Sequence, residues 1–355
     1  MKKNVTIYQI AEESCVSVST VSRVINGSPH VSKKTLARVL PVIEKYKFTP
    51  SAAARAMNSN HTNTLGVITS DIVNPYFAML FLEIQRYALE NRMSIILCNT
   101  LYGGASHGIK SPFTEAEYIN GFRCKDVDGV IITGGEIDKN DISDEYLSAL
   151  NHLTASIPVL IIGPPIAGCD CQFLNRSLSG GFPALVRHLA ALGNKRVGFV
   201  GGEPGVRQTT ARLQSYKTTL DSLGLEFDER IVALSNFYIG DGYTAMNRLL
   251  SDGPRPHAVV AVNDAVAIGA IRAIHDRRLR CPEDIAVVSG DQFFESDFIT
   301  PRLTSVDQQN EHLGRLSILS LISAINGVKD SVGFIHDPQI IVRESCGARV
   351  ERVFS

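Results

Sequence analysis

The chain has 355 residues, 44% of them apolar, which suits a globular protein built from one small and one larger domain. The net charge is −1, but residues 1–60 hold nine Lys and Arg against three Asp and Glu, a charge of +6 that leaves −7 for the rest. No apolar run approaches ~18 residues, and no long apolar core follows the N-terminal lysines, which excludes a membrane span and a secretory signal. We expect a cytoplasmic protein whose basic N-terminal part binds nucleic acid, although a solvated basic helix face would give the same charge.

Residues 1–49 have the pattern of three short helices. Thr6 and Gln9 form a capping box at the start of the first helix. Ser17 is a suitable N-cap for a second helix over residues 18–25, and Ser32 for a third, which contains Pro41. Two short helices joined by a tight turn and followed by a third predict a helix-turn-helix domain.

The second helix of such a domain enters the DNA major groove and presents its N-terminal residues to the base edges. Here those residues are Val18, which can contact a thymine methyl group, Ser19, and Arg23, which can donate two hydrogen bonds to guanine. Short polar residues near helix starts are suited to phosphate oxygens. They are Ser17, Ser22, Asn26, Ser32 and Thr35. A helical bundle without a DNA role is the alternative, but the exposed face of residues 18–23 is short and polar with a single Arg.

The stretch VTIYQIAEESCVSVSTVSRVINGSPHVSKKT closely resembles the signature of LacI/GalR repressors, without gaps. The resemblance implies a DNA-binding domain over residues 1–49 and adds Thr6 and Tyr8 to the DNA contacts. Cys15 stands where the family frequently has a turn glycine.

Residues 50–61 resemble the hinge helix of the same family. Pro50 ends the preceding helix and Ser51 can cap a new one, but residues 52–57 are too few to form a stable helix alone. The resemblance implies that Ser51, Ala54 and Met57 contact DNA, with Met57 as an apolar wedge in the minor groove where the family usually carries Leu. The alternative is that Met57 is a linker residue without a role.

From residue 64 onwards, strands and helices alternate. Strands are predicted at 65–68, 94–98, 130–132, 159–162, 196–200, near 231–234, 258–262 and 285–289. Helices are predicted at 76–90, 185–192, 212–223, 242–250 and 265–276. This alternation predicts two lobes with parallel sheets covered by helices.

Residues 62–350 resemble the type I periplasmic-binding-protein fold, which the LacI/GalR family uses to sense ligands. The fold class is thus a small all-α helix-turn-helix head followed by an α/β two-lobed body. The segments that carry the resemblance include 71–77, 127–131, 212–216, 263–264, 290–291 and 342–345. Leu174 and the segment 101–122 depart from the family pattern. The chain lacks the apolar heptad tail of tetrameric members, so we expect a homodimer.

Ligands of open α/β sheets bind at the carboxyl ends of the strands, and together with the family pattern this indicates a set of effector-binding residues. Carboxylates and Arg can hold hydroxyl groups there, and an aromatic ring can stack on a ligand ring. The predicted residues are Asp71, Phe77, Arg212, Phe237, Asn263 and Asp291. Asp71 and Phe77 follow the first strand, Arg212 opens a helix, and a lobe-to-lobe salt bridge is the alternative role for Arg212 or Asp291.

Three other functions fit the sequence less well. The turn at residues 201–205, GGEPG, matches neither phosphate-loop motif, so it is interpreted as a strand-to-helix turn rather than part of an enzyme. A secreted sugar-binding protein would not need the helix-turn-helix head, and an architectural DNA binder would not need the two-lobed body.

Cys169 and Cys171 have the wrong spacing for a zinc site and are expected to be reduced thiols. The sequence therefore predicts a repressor without cofactor, metal or enzymatic activity, which binds a near-palindromic operator as a homodimer and responds to a small molecule such as a sugar.

Overall fold

The computed structural model describes residues 5–25, 28, 30–48, 61–101, 111–122, 125–175, 177, 179–328 and 338–349. Contacts between residues divide the chain into two compact units, Met1–Thr62 and Asn63–Ser355. No helix in the described part of the chain is long and apolar enough to cross a membrane.

The described part of the first unit contains the three predicted helices. They are α1 Ile7–Glu13, α2 Val18–Ile25 and α3 Lys33–Tyr46. All three predicted caps are confirmed. Thr6 and Gln9 form a reciprocal capping box, and the hydroxyl groups of Ser17 and Ser32 accept hydrogen bonds from the amides three positions later. The helix α3 continues through the exposed Pro41. The three helices enclose a small core of fully or nearly fully buried side chains, namely Ile10, Ala11, Val21, Val24 and Val39.

The first lobe of the second unit contains a parallel sheet flanked by helices. Its elements are β1 Thr64–Thr69, α4 Pro75–Glu90, β2 Ser94–Asn99, α5 Glu115–Phe122, β3 Gly129–Thr133, α6 Asp144–Thr154, β4 Val159–Ile162 and β5 Gln172–Phe173. The order of the described strands is β2-β1-β3-β4-β5. Leu65 pairs with Ile95 on one side and with Gly129 on the other, both in parallel register. The strands β3 and β4 are buried along their whole length, as expected for a sheet covered on both faces.

The second lobe repeats the same architecture. Its elements are α7 Phe182–Ala191, β6 Val197–Val200, α8 Arg207–Ser222, β7 Val232–Ala233, α9 Ile239–Asp252, β8 Ala258–Ala261, α10 Asp264–Asp276 and β9 Ala286–Ser289. The described strands are parallel in the order β7-β6-β8-β9. The predicted two-lobed α/β body is therefore confirmed.

The C-terminal part of the described chain connects the lobes again. Its elements are β10 Ser305–Asp307, α11 Asn310–Ile325 and β11 Gln339–Ile341, and β10 pairs with β11 in antiparallel register. The helix α11 returns to the first lobe and packs against α4. Gly314 permits this close approach, because a side chain there would collide with the α4 backbone at Ile84.

Three helix starts were predicted too late. The helix α7 begins at Phe182 and not at 185, α9 begins at Ile239 and not at 242, and the largest difference is in α8. The helix α8 begins at Arg207 and not at Arg212, so Arg212 lies in its second turn. Its N-cap residue, Val206, makes no side-chain capping bond, and its first turn is polar. A capping side chain and an apolar residue at helical spacing, the two features from which a helix start is usually predicted, are therefore both missing at this point of the sequence. The helices α5, α6 and α11 were also not among the predicted elements, and Leu174 is buried in the core of the first lobe.

Candidate functional site

The helix α2 presents one polar face outside the core. Ser19 and Arg23 are exposed and one helical turn apart, and Val18 and Ser22 form a second such pair that is half-buried. Val21 faces the opposite side and is fully buried. Of the side chains that were predicted to contact bases, Ser19 and Arg23 are therefore exposed on this face, and Val18 is half-buried beside them.

Hydroxyl groups surround the starts of α2 and α3. The Ser17 hydroxyl accepts a hydrogen bond from the Thr20 amide at 3.2 Å and lies 2.9 Å from the Ser19 hydroxyl. The Ser32 hydroxyl accepts from the Thr35 amide at 3.2 Å. Tyr8 on α1 is 72% exposed. Helix N-termini with nearby hydroxyl groups are suited to phosphate oxygens.

Contacts from α3 hold α1 and the turn that follows it. Lys45 pairs with Glu13 at 2.5 Å, and the Tyr46 hydroxyl donates to the same carboxylate at 2.6 Å. The hydrogen bond from Lys45 is the main reason why the pKa of Glu13 lies below its usual value. Arg38 donates to the Cys15 carbonyl at 2.9 Å in the turn between α1 and α2. These contacts fix α1 and the turn that leads into α2 against α3.

Four of the predicted DNA contacts lie outside the described residues. They are Asn26, Ser51, Ala54 and Met57. Their roles remain predictions.

A cavity of about 530 Å³ lies between the two lobes, at the carboxyl ends of strands from both sheets. Five of the six predicted effector-binding residues line it. They are Asp71, Phe77, Phe237, Asn263 and Asp291. The cavity thus brings together residues that are up to 220 positions apart in the sequence, and both lobes contribute to it.

Asp71 and Tyr238 connect the lobes across this cavity. The Tyr238 hydroxyl donates a hydrogen bond to Oδ2 of Asp71, and the Val73 amide donates to Oδ1 at 3.0 Å. Sequence reasoning missed Tyr238. Its place next to Phe237, in the turn that follows β7, is the signal that could have found it.

Aromatic rings form part of the cavity wall. Phe77 and Tyr76 meet edge to face with ring centroids 5.1 Å apart. The Phe77 ring lies against Gly134, which has a φ of +74° and no room for a side chain. Phe237 contributes a third ring from the second lobe. Such surfaces can stack against a ligand ring.

Asn263 is buried and holds the loop that carries Phe237. Its side-chain oxygen accepts from the Val266 amide at 2.9 Å and so caps α10. Its side-chain nitrogen donates to the Phe237 carbonyl at 2.9 Å. Asn263 therefore has a positioning role in this structure, in addition to the ligand contact predicted for it.

Arg212 and Asp291 form a buried ion pair inside the second lobe. The guanidinium is 2.8 Å from Oδ1 of Asp291, and the two side chains are 1% and 5% exposed. Arg212 also donates to the Val262 carbonyl and stacks over the Phe182 ring at 5.1 Å. Arg212 is not among the residues that line the cavity; it lies behind Asp291. The pair joins two elements of one lobe and is not a lobe-to-lobe bridge.

Two loops that line the cavity also connect the lobes at its edge. Lys139 forms an antiparallel bridge with Val206, and Arg207 donates to the Asn140 carbonyl at 3.3 Å. The turn at residues 201–205 joins β6 to α8, as predicted, and Glu203 from this turn lines the cavity. The loop at 135–141 was missed by sequence reasoning because it follows β3 without a recognisable motif.

Glu115 is a buried carboxylate directly behind this loop. It accepts hydrogen bonds from the Thr100 hydroxyl at 2.7 Å and from the Glu136 amide at 2.6 Å. Burial raises the pKa of Glu115 to about 7, against the lowering effect of these two hydrogen bonds. Glu115 therefore ties the end of β2 to the loop that lines the cavity.

Among the residues that the structure describes, no group of three or more His, Cys, Asp and Glu side chains could hold a metal ion. The chemistry available in the cavity is hydrogen bonding, ring stacking and charge.

Comparisons with known proteins match both units. Residues 6–51 match the model for bacterial regulatory proteins of the lacI family, and residues 186–346 match a periplasmic binding protein-like domain.

The curated relatives include two repressors from Haemophilus influenzae that match over nearly their whole length. The HTH-type transcriptional repressor PurR of strain PittEE is 30% identical over 345 residues, which cover 96% of this chain and 98% of PurR. The ribose operon repressor is 27% identical over 342 residues, which cover 96% of this chain and 98% of that repressor.

Two solved structures share the fold over nearly the whole chain. The lac repressor dimer bound to operator and the anti-inducer ONPF has a TM-score of 0.84 at 23% identity, covering 98% of this chain and all of that one. The transcriptional regulator CelR in complex with cellobiose has a TM-score of 0.69 at 26% identity, covering 96% of this chain and 99% of CelR.

Proposed function

Because this chain belongs to the LacI family of bacterial regulatory proteins, it is a DNA-binding transcription regulator rather than an enzyme, and we propose that it is a repressor controlled by a small molecule in the cavity between its lobes. The observation that carries the proposal is the cavity itself, which receives side chains from both lobes. A ligand that contacts both lobes changes the relative free energies of their arrangements, and thereby the geometry available to the DNA-binding heads.

We propose a sugar or a related ring-bearing metabolite as the ligand. The rings of Phe77 and Phe237 can stack on a ligand ring, and Asp71 and Asp291 can accept hydrogen bonds from hydroxyl groups. Among the relatives, one is named for the ribose operon and another was solved with cellobiose. Arg212 supports this site by holding Asp291 in place.

We propose that the head occupies residues 1–49, the hinge 50–61 and the ligand-binding body 62–350. Arg23, Val18 and Ser19 read base edges in the major groove. Phosphate and other DNA contacts come from the remaining predicted residues of the head and hinge, which are Thr6, Tyr8, Ser17, Ser22, Asn26, Ser32, Thr35, Ser51, Ala54 and Met57. The exposed polar face of α2 and the hydroxyl groups at the helix starts support the part of this assignment that falls on described residues.

We propose that the protein acts as a cytoplasmic homodimer on a near-palindromic operator, with one head in each half-site. The lac repressor neighbour is a dimer bound to its operator. In this chain the second lobe carries Phe294 and Phe298, which are 73% and 72% exposed with ring centroids 5.1 Å apart. Exposed apolar surfaces of this kind favour protein–protein contact.

The test uses the full-length protein. Binding sites are selected from random duplex DNA, and affinity for the selected site is measured by fluorescence anisotropy with a panel of sugars, sugar phosphates, nucleosides and purines. We expect a near-palindromic site and at least one compound that raises the melting temperature and changes the DNA affinity. Absence of sequence preference, or a ligand that stabilises the protein without changing DNA affinity, would contradict the proposal.

A further inference from the structure

Cys169 and Cys171 form a pair of thiols in the loop between β4 and β5. Their sulfur atoms are 2.8 Å apart. Both side chains are half-buried, whereas Asp170 between them is exposed. The two thiols pack at the edge of an apolar cluster of the first lobe that includes Leu147.

The loop is anchored on both sides of this pair. Before it, Gly168 turns the chain with a φ of +77°, and its carbonyl accepts a hydrogen bond from the Asn151 side chain of α6 at 2.9 Å. After it, Gln172 pairs with Leu160 of the sheet. Because both ends are held, the two sulfur atoms remain close to each other. A disulfide bond requires a sulfur separation of about 2.0 Å, so only a small local movement is needed to form one.

We propose that Cys169 and Cys171 are a reversible oxidation site, at which a low-molecular-weight disulfide converts the two thiols into an intramolecular disulfide. The Cys169 thiolate attacks one sulfur of the oxidant and displaces one thiolate, which gives a mixed disulfide on Cys169. Cys171 then loses its proton to solvent, and its thiolate attacks the Cys169 sulfur and displaces the second thiolate. Overall, two protein thiols are oxidised and one small disulfide is reduced to two thiols.

The order of the two steps follows from the surroundings of Cys171. Burial raises the pKa of the Cys171 thiol, and the neighbouring Cys169 raises it further through a hydrogen bond and charge repulsion. A mixed disulfide on Cys169 removes that thiol and its charge. It leaves Cys171 buried, but it relieves the part of the pKa increase that Cys169 causes. We therefore assign Cys171 as the resolving thiol, which attacks after Cys169 has been modified.

The bond is suited to a reversible modification rather than to a structural crosslink. It closes a loop between residues only two positions apart, and so short a loop constrains the unfolded chain less than a long one. The following strand, β5, leads to the buried Leu174 and then to the passage of the chain into the second lobe. The modification thus lies on the first lobe, next to a connection between the lobes.

The test exposes the full-length protein to mixtures of oxidised and reduced glutathione, followed by acid quenching, alkylation and peptide mass spectrometry. We expect a disulfide between Cys169 and Cys171 that dithiothreitol reverses. Cys171→Ser should instead accumulate glutathione on Cys169, whereas Cys169→Ser should leave Cys171 mostly unmodified. Cys281→Ser is the matched control, because Cys281 is also a half-buried free thiol and its loss should leave the disulfide unchanged.

The proposal is overturned if both thiols of the wild type remain open to alkylation in a glutathione mixture that modifies Cys169 in Cys171→Ser. It is also overturned if the wild type accumulates the mixed disulfide on Cys169 without closing the bond, or if either cysteine pairs with a third one. These readings come from the wild type as well as the variants, so they do not depend on the folding of a single variant.

Discussion

Tyr238 of the second lobe donates its hydroxyl hydrogen bond to the carboxylate of Asp71 in the first lobe, across the cavity that we assign to the effector. Asp71 is only 5% exposed, so water replaces this donor poorly when it is removed. The contact therefore links the stability of the body to the arrangement of its lobes.

Tyr238→Phe should lower the free energy of unfolding by roughly 1–3 kcal/mol, because it removes a hydrogen bond to a buried charged group. Urea unfolding of the full chain measures the change. Tyr243→Phe is the matched control, since the Tyr243 hydroxyl donates a hydrogen bond of 3.2 Å to the carboxylate of the exposed Asp276 on the same lobe. Equal losses of unfolding free energy in the two variants would show that the hydrogen bond across the cavity stabilises the protein no more than an exposed one.

Arg212→Met should destabilise the body by about 3–5 kcal/mol, because it leaves the buried Asp291 carboxylate without its partner. The control is Arg272→Met, which removes an ion pair between the exposed Arg272 and Asp276 and should cost only about 0.2–1 kcal/mol. Denaturant unfolding again gives both values. A loss below 1 kcal/mol for Arg212→Met would mean that solvent reaches Asp291 freely.

Glu115 makes stability depend on pH. Its pKa is about 7 in the folded protein and 4.5 otherwise, so between these pH values the folded state retains a proton that the unfolded state has released. Stability should therefore fall as pH rises from 4.5 to 7, by on the order of 3 kcal/mol, and this loss should remain constant above pH 7.

The side chain of the variant Glu115→Gln stays neutral at every pH, so this variant should not lose stability as the pH rises from 4.5 to 7. Relative to wild type, its free energy of unfolding should rise between pH 5 and pH 7.5, as measured by urea titration at each pH. Glu117→Gln controls for the change in net charge on the same helix. A difference between Glu115→Gln and wild type that does not vary with pH would refute a buried, protonatable Glu115.

Cys15 has a φ of +49°, a left-handed conformation that costs ~1–2 kcal/mol for a residue with a side chain. Cys15→Gly should stabilise the head by up to about 1 kcal/mol, after the greater freedom of glycine in the unfolded chain is subtracted. Hydrogen exchange at the Val21 and Val24 amides of the full chain reports this. Cys15→Ala keeps the strain and should give no gain; equal protection in both variants would disprove the argument.

Arg23→Ala should lose about 1–3 kcal/mol of discrimination between the operator and single-base variants, because a bidentate contact to guanine is removed. Arg23→Lys keeps the charge but lacks the planar guanidinium that donates two parallel hydrogen bonds. It should therefore lose a similar amount of discrimination, while retaining more affinity for random DNA than Arg23→Ala. Anisotropy titrations at fixed salt measure both quantities. Unchanged operator preference in Arg23→Ala would exclude Arg23 as a base reader.

The sequence by itself determined the local elements of this protein. The Thr6 capping box and the Ser32 N-cap lie where they were predicted, since each depends on side chains only three positions apart. The strand at 65–68 was observed at 64–69, because a run of apolar residues reflects burial on both faces of a sheet. Five residues of the cavity could be predicted because the carboxyl ends of parallel strands lie at the same edge of a sheet.

Only the tertiary structure decided which of these groups meet. Arg212 pairs with Asp291 after an interval of 79 residues, and Tyr238 reaches Asp71 after 167. No local sequence pattern encodes these partners, because they depend on how the elements at the ends of the two sheets pack against each other. The early start of α8 at Arg207 has the same origin, since its polar first turn is stabilised by contacts with the other lobe and not by a cap in the sequence.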